Sequence, residues 1–408
     1  MKVTLISQYF YPEMISTGHI LTELLVEIRK KGVAASVICA QPSYYSAEKY
    51  PVRIKFHGID IERTQNTQFD KNTLKGKIYN SATFLLHSLI LSLKINRHGS
   101  VMLVTNPPYL GILGPILSRI KKVSFLLIIH DLYPQIAVNM GFLGHRSLLT
   151  LLWRKINRWI YCKASFVIVL GRDTKILISD QMRKDDQQKI VYIPNWADSS
   201  LIEPVESKKN PFIKELGLKN KFIVQYSGNM GITHDMETII QAAAALKDDD
   251  EIHFLLIGGG GKLEKVKRMA LDYELQNISF LPYQPRENLR YSLSASDVSL
   301  ISLESAANGL SVPSKLYGIM ASGRPIIAIV SESSEVAIAI KEAKCGMLTP
   351  PKDVIKLVNA ITWMRDNVSC RHEMGNRAYQ AFLDKYTVEH GAEKYIQLLR
   401  QCGQNNDH

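Results

Sequence analysis

The sequence predicts an α/β protein made of two Rossmann-like domains that face each other across a cleft. Three observations lead there. The chain has 408 residues, and at roughly 100–200 residues per domain this favours two. Short, continuously apolar runs alternate with helical stretches, which is the pattern of parallel sheets covered on both faces. The alternation stops at a polar, proline-bearing stretch, residues 194–211, and then restarts. The expected boundaries are 1–195 for the first domain, 196–211 for a linker, 212–385 for the second domain and 386–408 for a closing helix.

The elements follow in order. Residues 3–7 read as a buried strand, followed by a loop of Tyr, Phe, Pro and Gly. A helix over 20–31 carries Leu21, Leu24, Leu25 and Ile28 at helical spacing. Gly32 ends it, and 34–40 is the next strand. Residues 101–105, 125–129, 166–170 and 189–193 continue the series, the second of these running into His130-Asp131. After the linker, 222–226, 252–257, 277–281, 298–301, 326–329 and the stretch around Met347 read as strands. Helices are expected at 234–246 and 390–402. In such sheets ligands collect beyond the C-terminal strand ends, so the loops there are the places to search.

The charge is unevenly placed. Lys and Arg number 50 against 38 Asp and Glu. Up to residue 200 the count is 26 basic and 13 acidic, and beyond it 24 and 25, so the halves carry +13 and −1. A half-specific cause is needed: a phosphate-rich substrate, an anionic membrane or a nucleic acid. The basic half lacks a helix-turn-helix, a zinc module and interleaved surface aromatics, which argues against nucleic acid. Residues 146–163 place Leu148, Leu149, Leu152, Ile156, Trp159 and Ile160 on one helical face, with Arg154, Lys155 and Arg158 off it. Such a helix suits an anionic bilayer surface; a sheet-covering helix with a solvated basic side is the ordinary alternative. Residues 84–93 and 118–122 could extend that surface. The longest apolar run, 82–95, falls short of the ~20 residues of a spanning helix. Five scattered cysteines without a CxxC exclude a disulfide framework and a zinc site. The opening residues do not read as a signal peptide. The expectation is a cytoplasmic protein, peripheral on the inner face of the cytoplasmic membrane.

Several loops could carry chemistry. In Tyr226-Ser-Gly-Asn-Met-Gly-Ile-Thr-His234, Gly228 and Gly231 let main-chain N–H groups approach a ligand. The tract from Ile257 to Lys262 lacks both the GxGxxG and the P-loop spacing and reads as a turn near the ligand. In Gly309-Leu-Ser-Val-Pro-Ser-Lys-Leu-Tyr317, Pro313 suits the first helical position, which puts Ser314 and Lys315 in the first turn. A cation there is unfavourable unless an anion such as a diphosphate joins it. His130 at a strand end could polarise or deprotonate a hydroxyl, with Asp131 orienting it or binding a sugar hydroxyl. Glu13 could bind an acceptor hydroxyl, and Gly18 lets the main chain approach a substrate. The acidic run 248–251 reads as a solvated turn.

Several stretches share a family pattern. They are Tyr11-Pro-Glu13 with Gly18, His130-Asp-Leu-Tyr-Pro134, Tyr226-Ser-Gly-Asn-Met-Gly231, Ile257-Gly-Gly-Gly260, Phe280-Leu-Pro-Tyr283, Ser296-Asp297, and Gly309-Leu-Ser-Val-Pro-Ser-Lys315 through Gly323-Arg-Pro325. In order and spacing they resemble the retaining family-4 glycosyltransferases of GT-B architecture, over essentially the whole chain. The resemblance is greatest to the branch that builds bacterial surface polysaccharides such as O-antigen and capsule, N-acetyl-fucosaminyltransferases included. It implies a nucleotide-sugar donor, UDP-linked, on the second domain, and a polyprenyl-diphosphate-linked saccharide acceptor on the first. It implies no metal and no cofactor beyond that co-substrate. The donor set implied is Gly18, Gly228, Asn229, Gly231, His234, Tyr283, Glu304, Leu310, Ser311, Ser314 and Lys315. Of these, Tyr283 would meet the base and the region 304–311 the sugar. Glu13, Thr17 and Tyr133 would hold the acceptor, while His130, Asp131 and Lys315 would serve catalysis. The closing helix would pack back on the first domain.

Two departures stand out. Asn229 and His234 fall near the positions where many relatives carry an Arg and a Lys, and Leu310 and Gly318 replace two glutamates. Lys315 therefore carries more of the phosphate neutralisation. Two rival readings stay open: a UDP-sugar 2-epimerase on the same fold, and a non-catalytic, membrane-associated binding subunit.

Overall fold

The computed structural model describes residues 1–13, 16–42, 50–69, 73–97 and 99–404. The chain forms two compact units, Met1–Asn195 with Val388–His408, and Trp196–Thr387.

In the first unit the order is β1 (Lys2–Ile6), α1 (Ser16–Lys30), β2 (Ala34–Cys39), β3 (Arg53–Phe56), β4 (Ile59–Arg63) and α2 (Leu74–Ser92). There follow β5 (Ser100–Val104), α3 (Leu113–Lys121), β6 (Ser124–Ile129), α4 (Gln135–Asn139), α5 (Leu148–Lys163), β7 (Phe166–Val169), α6 (Arg172–Ser179) and β8 (Ile190–Tyr192). The strands line up as β3-β4-β2-β1-β5-β6-β7-β8. All pairs are parallel except β3 on β4. The step from β1 to β2 runs toward one edge; those from β4 to β5, β5 to β6, β6 to β7 and β7 to β8 run toward the other. Right-handed crossovers therefore place α1 on one face and α2, α3, α5 and α6 on the opposite one.

β5 is wholly buried and β6 nearly so, as their unbroken apolar runs require. The β3–β4 hairpin is an element the apolar-run criterion passed over. Its residues alternate in exposure at a sheet edge, so no continuous apolar run marks it. Its two-residue turn, His57-Gly58, has φ of 47° and 78°, the positive values that a tight primed turn demands.

The second unit runs α7 (Pro211–Glu215), β9 (Phe222–Asn229), α8 (Glu237–Ala245), β10 (Ile252–Gly259), α9 (Leu263–Asp272), β11 (Ile278–Leu281) and α10 (Leu289–Leu293). It continues with β12 (Val298–Ser302), α11 (Lys315–Ala321), β13 (Ile326–Ile329), α12 (Glu335–Ala343), β14 (Gly346–Thr349), α13 (Val354–Asp366) and α14 (Val368–Lys385). Its six strands, β11-β10-β9-β12-β13-β14, are all parallel. The stretch 196–211, expected as a linker, is packed into this unit. Ala197 and Ile202 join its core, and the Ala197 N–H donates to the Tyr386 carbonyl at 3.1 Å. Apolar side chains draw the segment down despite its prolines.

A last helix, α15 (Val388–Gln404), belongs to the first unit and packs on α1, β5 and β6. Its inner side carries Ala392, Tyr395, Leu399 and Cys402, all buried. Truncating a fully buried leucine removes its transfer energy and leaves a cavity. Leu399→Ala is expected to destabilise the first unit by about 2–5 kcal/mol, read by urea unfolding followed by circular dichroism.

Candidate functional site

In the second unit, the predicted phosphate loop and the predicted lysine meet at the C-terminal end of the sheet. β9 and β10 stay in register through Gly228 opposite Gly258 and Asn229 opposite Gly259. Two of these glycines are required. Gly228 has φ of 135°, and a Cβ there would lie 3.1 Å from Cε and 3.2 Å from Nζ of Lys315. Gly258 has φ of 134°, and a Cβ there would run into the Gly228 carbonyl. The strand ends can thus come together and leave room for the lysine.

The Lys315 ammonium is buried and has no hydrogen-bond partner among the described residues. It lies 3.7 Å from the centre of the Tyr226 ring, over its face, a cation–π contact. The Tyr226 ring is held in turn, its hydroxyl donating to the Asn229 carbonyl at 2.6 Å. Burial pushes the Lys315 ammonium down to about 7. His234 stands beside it, 8% exposed. Burial first, and then the Lys315 charge, push its imidazole down to about 3, so it is neutral at neutral pH. Its Nδ1 is 3.3 Å from the Thr233 hydroxyl.

Sequence reasoning missed Lys262 as a site residue. Its ammonium donates to Glu237 at 2.9 Å, to Glu304 at 3.0 Å and to the His234 carbonyl at 2.7 Å. The two carboxylates hold this ammonium above the ordinary lysine range, against the opposing effect of burial. Among the described residues, Asp235, Glu237 and Glu304 bring three possible metal-ligating oxygens within 4.8 Å of one another. The Lys262 ammonium already lies on two of those acids. No local signal marked it, because its partners lie 25 and 42 residues away in sequence.

The other predicted donor residues are spread around this centre. Tyr283, 49% exposed, lies with its ring edge against Gly259 and donates to the Gly259 carbonyl at 3.3 Å. Leu310 is 3% exposed, so its side chain belongs to the interior and only its main chain can face a ligand. Ser311 and Ser314 are half-buried. Ser314 is the residue before α11, which starts at Lys315 rather than at Pro313. Asn229 is exposed, and the Gly231 carbonyl accepts from the His234 N–H at 3.1 Å. The acidic run 248–251 lies between α8 and β10; Asp249 pairs with Arg365 there.

In the first unit, His130 and Asp131 follow β6 as expected. Their main chain is pinned by a residue the sequence did not reveal. The Thr105 hydroxyl accepts from the N–H of His130 at 3.1 Å and donates to the Asp131 carbonyl at 3.2 Å. Burial pushes the His130 imidazole down to about 4, so it is neutral at neutral pH. Tyr133 stacks on Trp153 at 5.9 Å, and its carbonyl accepts from Asn157 at 2.6 Å. Burial, then the Asp131 charge, raise its phenol. Glu13 is buried, Thr17 half-buried and Gly18 buried in the first turn of α1. The Gly18 carbonyl accepts from the Thr22 hydroxyl at 2.7 Å, which accepts from the Tyr11 N–H at 3.2 Å. Met14 and Ile15 of that loop lie outside the described residues.

The helix singled out for its charge turns most of its apolar stripe outward, with Ile160 of that stripe buried instead. α5 buries Thr150, Asn157, Ile160 and Tyr161, and leaves Leu148 (86%), Leu149, Leu151, Leu152 and Trp159 exposed. The reason lies in its neighbours. The inner side must satisfy the carbonyls of Tyr133 and Gly144, which takes Asn157 and Thr150. Lys155 and Arg158 are exposed, while Arg154 is half-buried. Among the described residues no helix is long and apolar enough to cross a membrane.

Residues 208–381, within the second unit, match the family model described as Glycosyl transferases group 1, and a glycosyltransferase domain marks an enzyme. The chain is 28% identical to Probable glycosyltransferase WbjE of Pseudomonas aeruginosa over 364 residues, 88% of each chain. It is 32% identical over 138 residues to WcaI of Escherichia coli K12, named for colanic acid biosynthesis, about a third of each chain (33% and 34%). Among solved structures it resembles a sucrose-phosphate synthase of Thermosynechococcus elongatus, with a TM-score of 0.81, 18% identity and 98% of both chains covered. It also resembles HepE of Anabaena, solved with UDP, with a TM-score of 0.74, 16% identity, and 98% and 100% covered. At these identities the two structures establish the fold, GT-B.

Lys315 carries a directional prediction. An ordinary lysine titrates near 10.5, whereas this one titrates near 7. Between those values the unfolded chain binds more protons than the folded one, so this group makes stability rise with pH across that window. Lys315→Met is expected to gain most over the parent at or below about pH 7, with the gain fading toward about pH 10. Chemical denaturation of both proteins across that range reads the difference.

Proposed function

We propose that this enzyme transfers a sugar from a UDP-linked donor to a polyprenyl-diphosphate-linked saccharide, with retained anomeric configuration, in the synthesis of a surface polysaccharide such as O-antigen or capsule. The observation that carries the donor half is the buried Lys315 ammonium, without a hydrogen-bond partner, above Gly228 and beside uncharged His234. A buried cation lacking a partner is costly, and a diphosphate supplies the missing acceptors. The leaving diphosphate gathers negative charge as the glycosidic bond breaks. Lys315 and main-chain N–H groups of the glycine loop stabilise that charge, and no metal or other cofactor is required. The names of WcaI and of the HepE complex with UDP support the polysaccharide and UDP parts of the reading. An N-acetylated amino sugar such as N-acetyl-fucosamine is the proposed cargo, on the resemblance of the sequence motifs.

His130 fits an orienting role. An imidazole pushed down to about 4 is a weak base at neutral pH. In a front-face displacement the leaving phosphate itself accepts the acceptor's proton, and His130 with Asp131 and Tyr133 holds the acceptor hydroxyl. The acceptor's own diphosphate agrees with a basic first half.

The same half supports the membrane part of the reading. α2, α3 and α5 share one face of the first sheet, and their sequences contain no Asp or Glu. α2 exposes Ile78, Tyr79, Leu86 and Ile90, and α5 exposes its leucines and Trp159. Exposed apolar groups flanked by cations and free of acids match an anionic bilayer at the inner face of the cytoplasmic membrane.

Three measurements test this. Lys315→Ala is expected to weaken UDP binding by about a hundredfold in calorimetry; unchanged affinity would refute the donor assignment. A panel of UDP-sugars, with and without polyprenyl-diphosphate saccharide, should give product by mass spectrometry only when the lipid is present; product from donor alone would identify a 2-epimerase instead. Lys155→Gln with Arg158→Gln should reduce binding to vesicles containing anionic lipid by about tenfold at low salt and leave UDP affinity unchanged.

A further inference from the structure

The ammonium of Lys262 has three hydrogens, and each has an acceptor: Glu237 at 2.9 Å, Glu304 at 3.0 Å and the His234 carbonyl at 2.7 Å. These acceptors belong to three segments: the start of α8, the loop after β12 and the loop after β9. The backbone of Lys262 adds a fourth tie, its N–H donating to the Met230 carbonyl at 2.9 Å. The Glu304 N–H in turn donates to the Thr233 carbonyl at 2.9 Å. One side chain therefore holds the loop that carries His234 against the loop that carries Glu304.

The electrostatics make it hard to replace. Glu237 has a second cation, Lys265 at 2.8 Å, and Asp235 is engaged by Thr238 and by the N–H of Lys352. Among the described residues Glu304 has no second ion-pair partner, and its carboxylate is largely buried beside two other acids. Removing the ammonium strands that charge near His234, which also feels the charge of Lys315.

We propose that Lys262 is a positioning residue of the donor site, an internal cation that sets the Glu304 and His234 loops and keeps the acidic cluster from repelling the donor's diphosphate. This rests on the reading of Lys315 as the diphosphate receptor.

The test is calorimetric titration of the full chain with UDP, using Lys262→Met, Lys262→Arg and the double variant Lys262→Met with Glu304→Gln. Lys315→Ala serves as the marker of the donor reading, and the thermal midpoint is recorded for every protein. Lys262→Met is expected to weaken UDP binding about tenfold, and Lys262→Arg to remain within about threefold of the parent. The double variant should recover part of the loss, because the stranded carboxylate is gone; a purely structural role would give no such recovery. If Lys262→Met does not fold, Lys262→Gln, which keeps an amide donor and removes the charge, is expected to show the same loss. UDP affinity of the folded Met or Gln variant within about twofold of the parent overturns the proposal. So does a double variant no better than Lys262→Met. If Lys315→Ala binds UDP like the parent, the donor reading has failed. If Lys315→Ala loses binding and the Lys262 variants do not, only this inference has failed.

Discussion

A lysine ammonium kept from water, with no hydrogen-bond acceptor among the described residues, is the constraint around which the second unit's site is built. Placing Lys315 there favours Gly228, whose φ of 135° strains any side chain and where a Cβ would crowd the ammonium at 3.2 Å. It uses the Tyr226 ring, whose face lies 3.7 Å from the cation. It requires an uncharged neighbour, which His234 becomes through burial and through the lysine itself. A cation–π contact contributes little next to the desolvation of a full charge, and the fall of Lys315 to about 7 records that imbalance.

Lys262 is the counterpart. It sits one loop away, is also largely buried, and has every donor used. Two lysines that both act on His234 thus differ in coordination and in depth of burial. The saturated one is held above the ordinary lysine range and ties loops together; the unsaturated one is pushed below that range and stays open to an anion. A largely buried carboxylate beside the proposed diphosphate site would repel that ligand without such a cation, because like charges away from bulk water repel strongly.

In the first unit the deciding constraint is the need to satisfy main-chain carbonyls. The His130-Asp-Leu-Tyr-Pro134 loop leaves β6 and is tied by Thr105 and Asn157. Asn157 lies on α5, so the inner side of that helix had to be polar at that point, and its leucines were left facing outward. An apolar stripe usually marks the buried side of a helix. Here it marks the exposed one, which supports a surface role more strongly than the charge count did.

Much of this chain was legible in its residues alone. Unbroken apolar runs of strand length located the parallel strands, since a strand covered on both faces can carry little else. The motifs after β9, before α11 and after β6 marked Gly228, Lys315 and His130, because glycine and lysine at strand ends are rarely chosen for packing. Tyr226, Thr105 and Lys262 escaped, each for the same reason. Their roles depend on partners brought close only by folding, as with Lys262 and Glu304, 42 residues apart. Local spacing determined which residues could do chemistry. The tertiary structure decided which lysine is satisfied, which is not, and which face of α5 meets solvent, because burial and hydrogen-bond satisfaction belong to neighbours in space and not along the chain.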